Sequence, residues 1–163
     1  MTAFTKAEAK VYLTTSQMLR KRKRKKGPVR AKKTIVDGIK FASGLEAYMY
    51  KALKAANIKN DYEGETYLIV HPFNFTLDSF ERCANGKGDY KNRGNKNVQG
   101  IKYTPDFIGK DFIIECKGRA NESFPIRWKL FKSYASKNLK KYTLHKPQNQ
   151  KECDEVIRLI LNK

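Results

Sequence analysis

Lys102-Tyr-Thr-Pro-Asp-Phe-Ile-Gly-Lys-Asp-Phe-Ile-Ile-Glu-Cys-Lys117 is the stretch that decides the fold. It holds two runs rich in β-branched and aromatic residues, joined at Gly109-Lys110. Glycine first in a two-residue connection suits a type II′ turn, so the stretch reads as a β-hairpin. With that turn Ile108 faces Asp111, Asp106 lies opposite Ile113, and Glu115 lies opposite Thr104. Side chains alternate along a strand and cross-strand partners share a face. Asp106, Glu115 and Lys117 therefore project together, while Phe107, Phe112, Ile114 and Cys116 take the other face and fill a core. A three-residue loop with a bulge would break this parity.

Two carboxylates on neighbouring strands repel each other unless a cation lies between them. Mg²⁺, a hard ion that takes oxygen ligands, suits Asp106 and Glu115, with the backbone carbonyl of Cys116 as a further ligand. Such an ion polarises a phosphodiester and acidifies an attacking water. Lys117, at the end of an apolar strand, is then placed to meet the phosphate. The competing reading makes Asp106 and Glu115 edge charges that blunt aggregation, and Lys117 a solvated strand end.

Upstream, Ser43-Gly-Leu-Glu46 opens a helix in which Leu45, Met49, Leu53 and Ala56 recur near the helical period. Ser at the N-cap with Glu three residues on is a capping box. A helix start is also fixed in space, so Glu46 can serve as a third carboxylate. Ile35-Val36 reads as a short strand ended by Asp37-Gly38, and extended segments are expected between Ile58 and Val70. Phe75 to Gly100 is rich in Gly, Asn and Lys without an apolar period, and reads as a long surface loop at about 75–100.

Downstream, Phe124 to Tyr134 reads as a helix with Arg127, Lys129 and Lys132 on its more exposed side. Tyr142–Leu144 reads as a last strand and Lys151–Leu161 as a last helix. The order of elements predicts an α/β domain over 34–163, with a central sheet flanked by helices and no internal repeat.

The chain has 163 residues, enough for one domain and a short arm. Its 35 Lys and Arg outnumber 16 Asp and Glu, a net charge of +19. That excess attracts a polyanion, with nucleic acid ahead of an anionic membrane surface. The run Arg20-Lys21-Arg22-Lys23-Arg24-Lys25-Lys26 reads as part of a basic N-terminal arm, residues 1–33, that binds DNA. A nuclear-localisation address and an idle solvated tail are the alternatives, and residues 5–19 carry a faint helical period. No apolar run approaches the roughly 20 residues of a membrane span, and no secretory signal is evident. Cys83, Cys116 and Cys153 are far apart and form no CxxC pair, so a structural zinc site is not expected. Reduced thiols fit a cytoplasmic protein.

Ser43-Gly-Leu-Glu46, Asp61-Tyr-Glu63, Tyr103-Thr-Pro-Asp-Phe107 and Ile114-Glu-Cys-Lys-Gly118, in that order, resemble the PD-(D/E)xK nuclease superfamily. Their spacing is similar to that of phage endonuclease I, the Holliday-junction resolvase, and related small phage nucleases, across about residues 34–135. The resemblance implies a restriction-endonuclease-like core with Glu46, Asp106, Glu115 and Lys117 as its active site, and Asp61 as an additional acidic residue. It also implies Mg²⁺, for which Mn²⁺ substitutes, branched DNA as partner, and a homodimer that makes two symmetric cuts. For a phage-encoded protein the compartment is the host cytoplasm. The 75–100 segment is longer than the resolvase pattern and the basic arm heavier, and residues after 135 carry no motif. Another nuclease of the superfamily, acting on duplex, nick or flap, would use the same residues. A catalytically idle DNA-binding module would not need Asp106, Glu115 and Lys117 together. An RNA-binding protein would share the charge, but no RNP-type aromatic motif is present.

Overall fold

The computed structural model describes residues 32–163. The expected helix at 5–19 and the basic run Arg20–Lys26 lie outside the described residues. In chain order, strands β1 (Thr34–Val36) and β2 (Ile39–Phe41) form a hairpin. Its turn is Asp37-Gly38, both at positive φ (51° and 79°), as a type I′ turn requires. Helix α1 (Gly44–Ala55) follows, then β3 (Asn60–Tyr62). Next come β4 (Tyr67–Val70), β5 (Phe73–Phe75), β6 (Phe80–Glu81), β7 (Lys91–Asn92), β8 (Lys96–Val98) and β9 (Ile101–Tyr103). The chain ends with β10 (Phe107–Gly109), β11 (Phe112–Ile114), α2 (Phe124–Asn138), β12 (Thr143–His145) and α3 (Gln150–Leu161).

The centre is a four-stranded mixed sheet in the order β12-β11-β10-β3. Strand β10 is antiparallel to both β3 and β11, and β11 runs parallel to β12. A parallel pair needs a long crossover, which α2 supplies between β11 and β12. Alternation gives the sheet two apolar faces. Phe107, Phe112, Ile114 and Cys116 pack with Met49 and Leu53 of α1 and with Cys153 and Val156 of α3. Ile108 and Ile113 pack on the other side with Tyr67, Tyr103 and Phe131, the last from α2. The result is a mixed α/β domain with helices against both faces of its central sheet.

Phe131 is fully buried and stacks on Tyr103, with ring centroids 4.4 Å apart. Tyr67 and Trp128 close over it at 5.7 Å each. Phe131→Ala removes the centre of this cluster and is expected to cost about 3–5 kcal/mol of stability. Urea denaturation followed by circular dichroism checks it; a loss below about 1 kcal/mol would mean that this layer is loosely packed.

Two expectations need correction. The β10–β11 connection is Lys110-Asp111, not Gly109-Lys110, because Phe107 pairs with Ile114 and Ile108 with Ile113. Gly109 lies in the strand opposite Asn60, and a Cβ there would come within 2.2 Å of the Phe112 ring. Its glycine answers to close packing rather than to a turn, and it lacks the positive φ that type II′ demands. The register moves by two residues, so facial parity is preserved.

The segment from Phe75 to Gly100 is not a loop. Strand β4 pairs with β9, β5 with β8, and β6 with β7, all antiparallel. Together they make one two-stranded ribbon whose halves run out from Tyr67 and back to Tyr103. No residue of β5, β6, β7 or β8 is buried, which is why the sequence there has no apolar period. Polar groups hold it instead. Asn92 accepts hydrogen bonds from the Ser79 and Gly94 amides (3.1 and 2.9 Å) and donates to Asp78 (2.6 Å).

Candidate active site

Glu115 and Lys117 continue the line of β11 beyond its last paired residue. The Glu115 amide donates to the His145 carbonyl (3.0 Å) and the Lys117 amide to the Pro147 carbonyl (2.9 Å), so the parallel ladder with β12 anchors both. Asp106 immediately precedes β10, and its carbonyl accepts from the Glu63 amide (2.9 Å). Extending the observed register sets Asp106 opposite Glu115. A turn at Gly109-Lys110 would have set Ile113 opposite Asp106 and kept the two acids farther apart. The Asp106 carboxylate also accepts the Cys116 amide at 2.6 Å, tying one strand to the other at this point.

Burial makes these carboxylates unusual. It is the main cause that pushes the Asp106 carboxyl up to about 8; Glu115 and Glu46 add to the rise, against the Cys116 amide and Lys117. Glu115, which is 7% exposed, is also raised, again chiefly by burial. The hydroxyl of Tyr103, Lys117 and Arg127 pull it back, and Glu46 pushes it further up. The Tyr103 hydroxyl is buried beside this carboxylate and completes no hydrogen bond of ordinary geometry. It is a spare polar group at the acid pair.

Glu46 is 6% exposed at the start of α1. Its oxygens accept from the Ala42 amide (2.9 Å), the Ser43 hydroxyl (2.7 Å) and the Tyr62 hydroxyl (2.8 Å). The Ser43 hydroxyl in turn accepts the Glu46 amide (3.2 Å), so the cap forms, with the side chain reaching Ala42. Glu46 thus acts as a helix cap and as a charge felt by both other acids. Asp61, by contrast, lies in β3 opposite Ile108 and is exposed. It lines an open groove with Lys59, Glu65 and Lys110, and it is not among the main charges acting on Asp106 or Glu115. Glu63 meets the site through its backbone, its amide donating to the Asp106 carbonyl.

The cations are drawn in by α2. The Lys117 ammonium lies 4.7 Å from the Phe124 ring centroid and 4.0 Å from the Glu115 carboxylate. Arg127 donates to the Lys102 carbonyl (2.8 Å), spreads over Tyr103 at 5.9 Å, and is felt by Glu115. Lys129 and Lys132 are exposed farther along α2. Tyr62, Tyr103 and Phe124 escaped sequence reasoning because each looks like an ordinary core aromatic. The only signal was Tyr103, three residues before Asp106.

Residues 24–148 match the family model described as "Protein of unknown function (DUF1064)". The chain belongs to the DUF1064 family. No curated protein and no solved structure matches it. The DUF1064 match takes in Glu46, Asp106, Glu115, Lys117 and Arg127 and ends just before α3. Among the described residues, no group of three acidic, His or Cys side chains converges closely enough to hold a metal as it stands. The donor set around Asp106 and Glu115 is nonetheless all oxygen, which is the chemistry that Mg²⁺ and Mn²⁺ take. Among those residues no helix is long and apolar enough to cross a membrane.

Proposed function

We propose that this chain is a metal-dependent DNA nuclease of restriction-endonuclease-like architecture that hydrolyses phosphodiester bonds. The observation that carries the reading is the pair of half-buried Asp106 and buried Glu115, set opposite each other at the end of the β10–β11 ladder with Lys117 at its rim. Neighbouring acids held out of water, with raised affinity for protons, destabilise a fold, and such groups concentrate at functional sites. Asp106, Glu115 and the Cys116 carbonyl would hold the Mg²⁺ or Mn²⁺ ion, with Glu46 supplying further negative charge. Bound there, the ion supplies positive charge for the scissile phosphate and a more acidic water.

The protein's own residues do the rest. Asp106 would have to be charged to hold the ion, and the Cys116 amide and Lys117 favour that form. Lys117, held over Phe124, presents an ammonium to a phosphate oxygen. Arg127 offers a second cation on the same side. The Tyr103 hydroxyl, buried beside Glu115, favours the charged form of that carboxyl. The +19 charge, including the run Arg20–Lys26, supplies sequence-independent attraction to DNA.

Within that class we favour four-way junctions, on the resemblance to phage endonuclease I, with a C₂ homodimer presenting two active sites in the host cytoplasm. Phosphate contacts alone do not select a branched substrate, so selection would come from two sites at a fixed separation. A cleavage panel of four-way junction, flap, linear duplex and single strand with Mg²⁺ tests this. The expected result is paired cuts on opposing junction strands that survive an excess of linear duplex. Equal competition by duplex would retire the junction assignment and leave the nuclease standing; no cleavage of any substrate with Mg²⁺ or Mn²⁺ would retire both.

A further inference from the structure

The β-ribbon is unexplained by the candidate active site. Among the described residues its outer part, β5 to β8, packs substantially on no element outside the ribbon, so it contributes little to the core. A ribbon kept only for stability would bury its aromatics. Here Phe73, Phe80 and Tyr90 are 51%, 58% and 67% exposed, with Leu77 at 66%. Phe80 and Tyr90 sit beside each other at the outer end, with centroids 6.4 Å apart.

The ribbon's charges are sorted. Glu81 is taken by Lys96 (3.1 Å), and Asp78 by the Asn92 amide (2.6 Å). Arg93 is held back on the Glu81 carbonyl (3.2 Å). Arg82, Lys87 and Lys91 make no ion pair among the described residues and are exposed. Asp89, beside Tyr90, is also exposed and makes no ion pair among the described residues, so the outer end offers three such cations to one such acid around an aromatic pair, a combination that suits phosphates and the faces or edges of bases. A two-stranded antiparallel ribbon is also one of the two protein elements that the major groove of B-DNA admits. From Phe73 to Glu81 the ribbon reaches at most about 30 Å at roughly 3.3 Å per residue, enough to follow a groove for about half of a helical turn.

We propose that the outer ribbon is a DNA-binding element that lies in the groove of a duplex, with Arg82, Lys87 and Lys91 on phosphates and Phe80 and Tyr90 against the bases. The identity of the polymer rests on the nuclease reading; the ribbon's role in binding does not depend on cleavage.

Cys83 provides a built-in probe. It is exposed at the ribbon's outer end, whereas Cys116 and Cys153 are buried. A maleimide–benzophenone on Cys83 of the full chain, irradiated with a labelled 40-base-pair duplex in metal-free buffer, should cross-link to DNA. Cys83→Ser should abolish the signal. The triple variant R82E/K87E/K91E should bind duplex at least tenfold more weakly and lower the salt slope by about 0.9 for each cation that met a phosphate. Phe80→Ser with Tyr90→Ser should weaken binding severalfold and leave that slope unchanged. Each variant should melt with the wild type, because the outer ribbon does not support the core.

Protein–protein cross-links in place of DNA adducts would overturn the proposal in favour of a second copy of the chain as occupant. Stronger competition by single strand than by duplex would overturn the groove placement. If Mg²⁺-dependent cleavage is found but Cys83 never reaches DNA, the ribbon proposal fails and the nuclease stands. If Cys83 cross-links to duplex and no cleavage is ever found, the ribbon stands and the nuclease falls.

Discussion

Asp106→Asn is expected to reduce Mg²⁺-dependent cleavage by at least 10²–10³-fold, the order seen when one preorganised electrostatic group is lost. Duplex binding should persist in metal-free buffer, because the change removes negative charge and no phosphate contact. Asn keeps an oxygen to accept the Cys116 amide, so the tie between the two strands survives. The metal-free fold should even gain from the change at alkaline pH. The Asp106 carboxyl is pushed up to about 8, against about 3.9 in an unfolded chain. Between those values the folded state binds the proton more tightly, so wild-type stability falls as pH rises toward 8. The Asn variant lacks the Asp106 share of that decline and keeps the share from Glu115, which burial also raises. Melting curves of both proteins in EDTA at pH 5.5 and 8.5 check the sign, and single-turnover kinetics check the chemistry. A variant that cuts at the wild-type rate, or a wild type that grows more stable from pH 5.5 to 8.5, would contradict the placement of the acid pair.

Lys117→Ala should lower single-turnover cleavage by about 10²-fold while costing little stability. The ammonium is partly exposed, and its contacts are the Phe124 ring and a 4.0 Å approach to Glu115. Removing the cation leaves Glu115 without one of the groups that favour its charge, so proton affinity there should rise further. The rate should therefore recover in part at higher pH. Lys117→Arg, which keeps the charge but not the point-like shape, should rescue binding more than rate. A large fall in melting temperature with a normal rate per folded molecule would make Lys117 a structural strand end instead.

The hairpin that carries the acid pair was legible because β-strands alternate. Its turn was misread by one position, since Gly109 is dictated by the nearby Phe112 ring and the sequence offers no view of that contact. Parity survived because the true register differs by two residues. The ribbon was illegible for a different reason. The strands of its outer part, β5 to β8, are two or three residues long, bury nothing, and are held by backbone ladders and by Asn92, whereas hydrophobic period reports only on burial. The capping box at Ser43 was plain, yet the further grip of Tyr62 on Glu46 joins residues 16 apart and has no sequence signature. Asp61 shows the limit of motif matching. It is one residue from Tyr62, but alternation turns it toward an open groove lined by Lys59 and Lys110.

Anomalous diffraction from crystals of the full chain soaked in Mn²⁺ measures directly whether Asp106 and Glu115 together hold a divalent cation. The expected result is an anomalous peak bonded to carboxylate oxygens of both Asp106 and Glu115, absent from the Asp106→Asn variant. A saturating soak that leaves this site without a peak, or that puts the ion elsewhere on the chain, would contradict it.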